Sequence, residues 1–147
     1  MRRQGPPDPL KSMIAFFDSN VHIALLLGHL SLEGIVEEIG SMPVRLSPVV
    51  ASELLRGASG TAQRSVEKLI SQLLPLEPQS WRQCWHETGK LLPRIFPHHE
   101  EVGLGRLQND CLLALTARHT GALFVTADAH FDTIRRHVPF RMKRLPT

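Results

Sequence analysis

Short apolar runs alternate with longer stretches of helical period along most of the chain. Residues 13–18, MIAFFD, are a continuous apolar run closed by an acid. Such a run predicts a strand buried on both faces, as in a parallel sheet. NVHIALLLGHL then predicts a helix, with Ser19 or Asn20 as N-cap. SLEGIVEEIG predicts a second helix, opened by Ser31 and closed on Gly40. Residues 44–46 read as a short strand, and Ser47 with Pro48 opens the next helix, VVASELLRG, which ends at Gly57. Val66, Leu69, Ile70 and Leu73 fall at helical spacing over 61–73, and residues 74–76 read as a third strand.

Residues 78–96 predict helix as far as Pro93, followed by the loop FPHHEEVGLG. The segment 106–119 is a helix with Asp110 in its first turn, and its centre, CLLALTA, is apolar on nearly every side. ALFVT at 122–126 reads as another buried strand with Asp128 just past its end. A short helix at 131–136 and an edge strand at 138–140 complete the pattern, Pro139 being tolerable only at an edge. The predicted order is β-α-α-β-α-α-β-α-α-β-α-β. Strands alternating with helices imply a parallel α/β sheet covered on both faces.

At 147 residues the chain is one domain's worth, with 42% hydrophobic and 21% charged residues. Residues 1–12 are Pro-rich and polar and are expected to be a flexible extension to a single domain over 13–147. Aromatics are scarce and Tyr is absent, which weighs against a single-strand binder built on stacking platforms. Cys84 and Cys111 lie in apolar helical contexts without metal-ligand spacing, so both are expected to be free core thiols. No apolar run approaches a membrane span, and prolines follow Arg2 and Arg3 where a secretory signal needs apolar residues. A cytoplasmic protein without membrane attachment is expected. The net charge of +3 is unevenly spread: Arg135, Arg136, Arg141, Lys143 and Arg144 crowd the C-terminus, leaving the body of the chain net acidic. That division suits a cation-holding site flanked by arginines that reach phosphates, or simply solubilising tails.

Ligands of open α/β sheets bind beyond the carboxyl ends of the strands, where Asp18 and Asp128 fall. Glu53 and Asp110 lie on helices whose apolar faces must pack on that sheet. Each acid alone has an ordinary explanation: Glu53 paired with Arg56, Asp110 favoured near a helix N-terminus, Asp128 in a turn. Asp18 has no local partner. Four carboxylates in one pocket stay ionised together only around a divalent cation, and oxygen donors favour Mg²⁺ or Mn²⁺. Such a centre hydrolyses phosphodiesters.

FFDSNVHI, SPVVASELLRG, NDCLLALTARHTGALFVTADAHF and the last edge strand resemble the PIN-domain family in order and spacing, over roughly residues 13–141. The likeness is to its VapC branch of toxin ribonucleases. It implies a three-layer α/β/α fold around a parallel sheet of four to five strands. It makes Asp18, Glu53, Asp110 and Asp128 the catalytic, metal-binding acids, with Asn20 and Thr126 in support. It implies Mg²⁺- or Mn²⁺-dependent endoribonuclease activity leaving a 5′-phosphate and a 3′-hydroxyl. RNA as substrate, a cognate antitoxin as partner and a homodimer are implied as well. The chain departs from the family where His130 precedes Phe131, so the fifth acidic position is absent or displaced to Asp132.

His98, His99 and Glu100 are the densest histidine group, but HExxH and comparable zinc spacings are missing. A solvated loop is expected there, with contact to RNA as the other reading. His22, His29 and His119 are expected at the surface or at helix ends. Trp81 and Trp85, at i and i+4, read as a core or interface stripe. The rival function is a PIN fold that has lost activity and works only by binding partners. A receiver domain would need a lysine near the last strands, and between Lys90 and Lys143 there is none.

Overall fold

The computed structural model describes residues 13–98 and 103–146; the expectations for residues 1–12 and for His99 and Glu100 lie outside them. Four parallel strands form one sheet: β1 (Ala15–Phe17), β2 (Val44–Arg45), β3 (Leu123–Thr126) and β4 (Met142–Arg144), in the order β2-β1-β3-β4. Seven helices surround them among the described residues: α1 (Ser19–Leu26), α2 (Leu32–Ile39), α3 (Pro48–Gly57), α4 (Thr61–Gln72), α5 (Trp81–Ile95), α6 (Leu104–Thr120) and α7 (His130–His137).

The two-residue period of the strands sorts side chains into two cores. Phe16 and Phe124 point to one face, where Val50, Leu54, Val66, Leu92, Leu113 and Ile134 pack against them. Ala15, Phe17 and Val125 point to the other, against Val21 and Ile35. Helices α1 and α2 therefore cover one face and α3 to α7 the other, the expected three-layer α/β/α arrangement. Leu107 and every residue from Asp110 to Ala117 are buried, so α6 is the core helix that its apolar circumference predicts.

Several boundaries differ from the sequence reading. Asp18 itself caps α1, its carboxylate accepting from Ser19 N, in place of Ser19 or Asn20. That helix stops at Leu26, and Gly28 turns the chain at φ 78°. The expected strand at 74–76 shrinks to a single parallel bridge between Leu46 and Pro75. Proline there has no N–H to extend a ladder. The last edge strand lies at Met142–Arg144 and not at 138–140. Val138 N is already used capping α7, and Pro139 has no donor, so pairing with β3 begins only beyond Phe140. Val138 and Phe140 instead fill the core. Helix α5 runs through Pro93 to Ile95, where the sequence predicted a stop, and α6 begins at Leu104, which places Asp110 beyond its first turn. His22, expected at the surface, is buried, and its ring tilts against Phe17 with centroids 5.3 Å apart. Of the two tryptophans, Trp81 packs on the core while Trp85 stays exposed.

Cys84 and Cys111 are buried free thiols, and burial pushes the Cys111 thiol up to about 12. No helix is long and apolar enough to cross a membrane, among the described residues.

Candidate active site

Parallel pairing of β1 with β3 sets Phe17 beside Val125, and the next residue on each strand, Asp18 and Thr126, meets at the carboxyl edge of the sheet. Thr126 Oγ1 donates to Asp18 Oδ2 at 2.8 Å, and both side chains are buried. Asn20 Nδ2 donates to the same oxygen at 3.2 Å, while Ser19 N donates to Oδ1 at 2.8 Å. The Asp18 carboxylate is thus fixed by three donors. Thr126 also accepts from Asp128 N at 3.1 Å, and Asn20 Oδ1 accepts from Ala127 N at 3.3 Å. These two bonds shape the turn that carries Asp128.

Glu53 and Asp110 approach this edge from α3 and α6. Asp110 is buried, and among the described residues its Oδ2 has no hydrogen-bond partner; neither has the buried Oε1 of Glu53. Such atoms are expensive to leave unpaired. Burial pushes the Asp110 carboxyl up to about 8, with the Asp18 charge adding to the effect and Arg106 opposing it. Burial likewise raises Glu53, again helped by Asp18, and raises Asp18 itself against the bonds from Thr126 and Ser19. The charge of Asp128 raises both Asp18 and Asp110. All four sequence-predicted acids therefore share one electrostatic neighbourhood. Asn20 and Thr126 stand beside Asp18 as hydrogen-bond partners.

The ordinary explanations of the individual acids fare unequally. The Arg56 charge lowers Glu53, yet among the described residues the buried Glu53 Oε1 has no hydrogen-bond partner. Asp110 sits too far along α6 for its helix terminus to account for it.

Two residues of the site were not assigned to it from sequence. Arg106 Nη2 lies 3.1 Å from Asp128 Oδ2. It stands four residues before Asp110 on the same helix, a spacing that places both on one face, and that was the signal for it. His130, noted only as a departure, has Nε2 3.4 Å from Asp110 Oδ2. The geometry makes no hydrogen bond between them, and burial holds the ring toward its neutral form. His130 also stacks on Phe96, centroids 4.8 Å apart and planes 15° from parallel. Asp132 is bonded to Arg144 at 2.8 Å, a residue that pairs beside Thr126 in the sheet.

Among the described residues, no three His, Cys, Asp or Glu side chains already close on one point as a ligand set. The donor chemistry nevertheless fits a hard divalent cation. The residues supply carboxylate oxygens, two of them buried without a hydrogen-bond partner among the described residues, and burial raises Asp18, Glu53 and Asp110, a shift that a bound cation would oppose.

A family model described as the PIN domain matches residues 15–137. The fold is similar to VapBC-1 from nontypeable Haemophilus influenzae, with 20% identity, 90% of this chain and 98% of that chain covered, and a TM-score of 0.61. It is similar to VapBC2 from Rickettsia felis bound to a DNA fragment from their promoter, with 19% identity, the same coverages and a TM-score of 0.63. DNA-bound VapBC from Salmonella typhimurium is similar at 20% identity, 90% and 98% coverage, and a TM-score of 0.61. No curated protein matches the sequence.

Proposed function

The chain belongs to the PIN-domain family, and on that premise we propose that it is a metal-dependent endoribonuclease acting as the toxin of a type II toxin–antitoxin pair. The observation that supports this reading is the mutual electrostatic influence of Asp18, Glu53 and Asp110, the first and last of them buried, with Asp128 acting on Asp18 and Asp110 from the turn after β3. Asp18, Glu53, Asp110 and Asp128 would hold Mg²⁺ or Mn²⁺. When bound, the cation offsets their mutual repulsion and supplies Lewis-acid stabilisation to a phosphodiester and its attacking water. Thr126, Asn20 and Ser19 N hold Asp18 in one orientation, so its carboxylate needs little reorganisation on loading. Asn20 and Thr126 also fix the turn bearing Asp128. Hydrolysis adds the water oxygen to phosphorus and breaks the bond to the 3′ oxygen. The products are a 5′-phosphate and a 3′-hydroxyl, which takes up a proton from solvent.

The VapBC likeness supports an antitoxin as the partner. An apolar groove of about 390 Å³ lies between α1, α3 and α4, lined by Ile23, Leu26, Leu27, Leu54 and Val66, with Glu53 also in its lining. Its volume accommodates a few side chains of a partner segment, and its position would bring that segment to the carboxylates. A cytoplasmic homodimer is the assembly that the same reading entails.

The test is cleavage of RNA by the purified, partner-free protein in Mg²⁺, Mn²⁺ or EDTA, beside Asp18→Asn. Metal-dependent cuts absent from the variant are expected. A folded, monodisperse protein that makes no cuts in total cellular RNA would favour the second reading, an inactive PIN-fold binding module. His130, standing against Asp110, is the feature that favours that alternative.

A further inference from the structure

An RNA backbone approaching this edge meets four carboxylates, and something must make that approach favourable besides the bound cation. Among the described residues, Arg106 is the one cation whose charge acts on Asp18, Glu53 and Asp110 together. Arg56 acts on Glu53 alone of these three. The C-terminal cations are partly committed elsewhere: Lys143 pairs with Glu38 at 3.3 Å and Arg144 with Asp132 at 2.8 Å.

Arg106 reaches from the first turn of α6 across to the turn after β3. Its contact with Asp128 is made by Nη2, while its side chain remains 70% exposed against 28% for Asp128. A guanidinium has five N–H donors in a planar fork. Bonded to Asp128 through Nη2, Arg106 keeps other donors facing solvent at the rim of the site. An ion pair this exposed contributes little to the fold, so stability does not explain why a cation stands here.

Resting on the nuclease reading above, we propose that Arg106 is a substrate-positioning residue: its outward N–H groups bind a non-bridging phosphate oxygen of single-stranded RNA at the mouth of the carboxylate cluster, while Nη2 stays anchored on Asp128. The anchor limits the side-chain freedom lost on binding, and the planar fork matches the phosphate better than a lysine ammonium would. The contact carries no base information and sets only the position of the backbone.

The test compares Arg106→Ala and Arg106→Lys with the unchanged residue. Binding is read with a fluorescent single-stranded RNA in the Asp18→Asn background with Mg²⁺, over a series of KCl concentrations. Cleavage is read in the otherwise wild-type chain. Loss of the phosphate contact should weaken binding by about tenfold in Arg106→Ala and reduce the salt slope by about 0.7. In cleavage the loss should fall mainly on KM, with partial recovery in Arg106→Lys. If Arg106 only balances the charge of the carboxylates, Arg106→Ala would tighten Mn²⁺ binding while RNA affinity and salt slope stay unchanged, and that result overturns the proposal. Wild-type protein that neither binds nor cuts RNA would remove the nuclease reading and this role with it. Cleavage indifferent to Arg106 would remove this role alone.

Discussion

Thr126 and Asp18, 108 residues apart in sequence, are joined by a buried hydrogen bond of 2.8 Å at the end of two paired strands. The hydroxyl is one of three donors that fix the carboxylate, and the other two come from residues adjoining Asp18 in sequence. Thr126→Val keeps the shape of the side chain and removes the donor. It should destabilise the fold by about 1–3 kcal/mol, the cost of leaving a buried acceptor short of a partner. Cleavage should fall by more than metal affinity does, because Asp18 keeps its charge and loses its orientation. Denaturant unfolding beside kcat/KM at saturating Mg²⁺ checks both effects.

Asp110→Asn should abolish cleavage and leave the fold intact. In the metal-free protein it should also change how stability varies with pH. The Asp110 carboxyl lies at about 8 in the folded chain against an ordinary 3.8, so folding favours its protonated form. That contribution is fully present below the ordinary value and is lost as pH rises through about 8. Thermal unfolding in EDTA should therefore show wild type losing stability between mildly acidic and mildly alkaline pH, and Asp110→Asn losing much less. Mn²⁺ should raise the wild-type midpoint at alkaline pH, where the carboxylate is free to bind it. A variant with the same pH profile as wild type would contradict the burial argument.

His22 should act in the opposite direction. Burial lowers its ring from 6.5 to about 4, and among the described residues its Nε2 has no hydrogen-bond partner. The folded state favours the neutral ring, so its contribution is present above 6.5 and is lost as pH falls through about 4. His22→Phe, which preserves an aromatic contact with Phe17, should shift acid unfolding to lower pH. Circular dichroism across that acid range would show the shift, or its absence.

Phe124 touches Phe16, Phe131 and Phe140, with centroid separations of 4.9, 4.8 and 6.5 Å. Phe124→Ala should cost about 3–5 kcal/mol. The variant should lose cleavage only in proportion to the folded fraction, since no atom of Phe124 belongs to the site. Activity per folded molecule, measured against denaturant stability, separates the two.

The parts legible in the sequence were those with a local signature. The apolar run ending in Asp18, the apolar girth of α6 and the Ser-Pro start of α3 each specify an element and a carboxylate within a short window. The misplaced features depend on contacts made at a distance. Residues 138–140 have the composition of a strand, but α7 takes Val138 N and the core takes Phe140, so pairing is deferred to Met142. Residues 74–76 are similarly strand-like, and Pro75 limits them to one bridge. His22 looked like a helix-surface polar residue until packing against Phe17 buried it. Arg106 was visible in principle from its spacing to Asp110, whereas its contact with Asp128 exists only after β3 has paired with β1.

The sheet order β2-β1-β3-β4 has a consequence for synthesis. The neighbour beside β1 at this edge is β3, which the ribosome delivers only after β2 and helices α1 to α6. Until residues 123–128 have left the exit tunnel, Asp18 has neither Thr126 beside it nor Asp128 across from it. A nascent chain thus carries an unfinished site while it is still attached to its own message. On the proposed nuclease reading, a nascent chain leaves its messenger RNA uncut until β3 has paired.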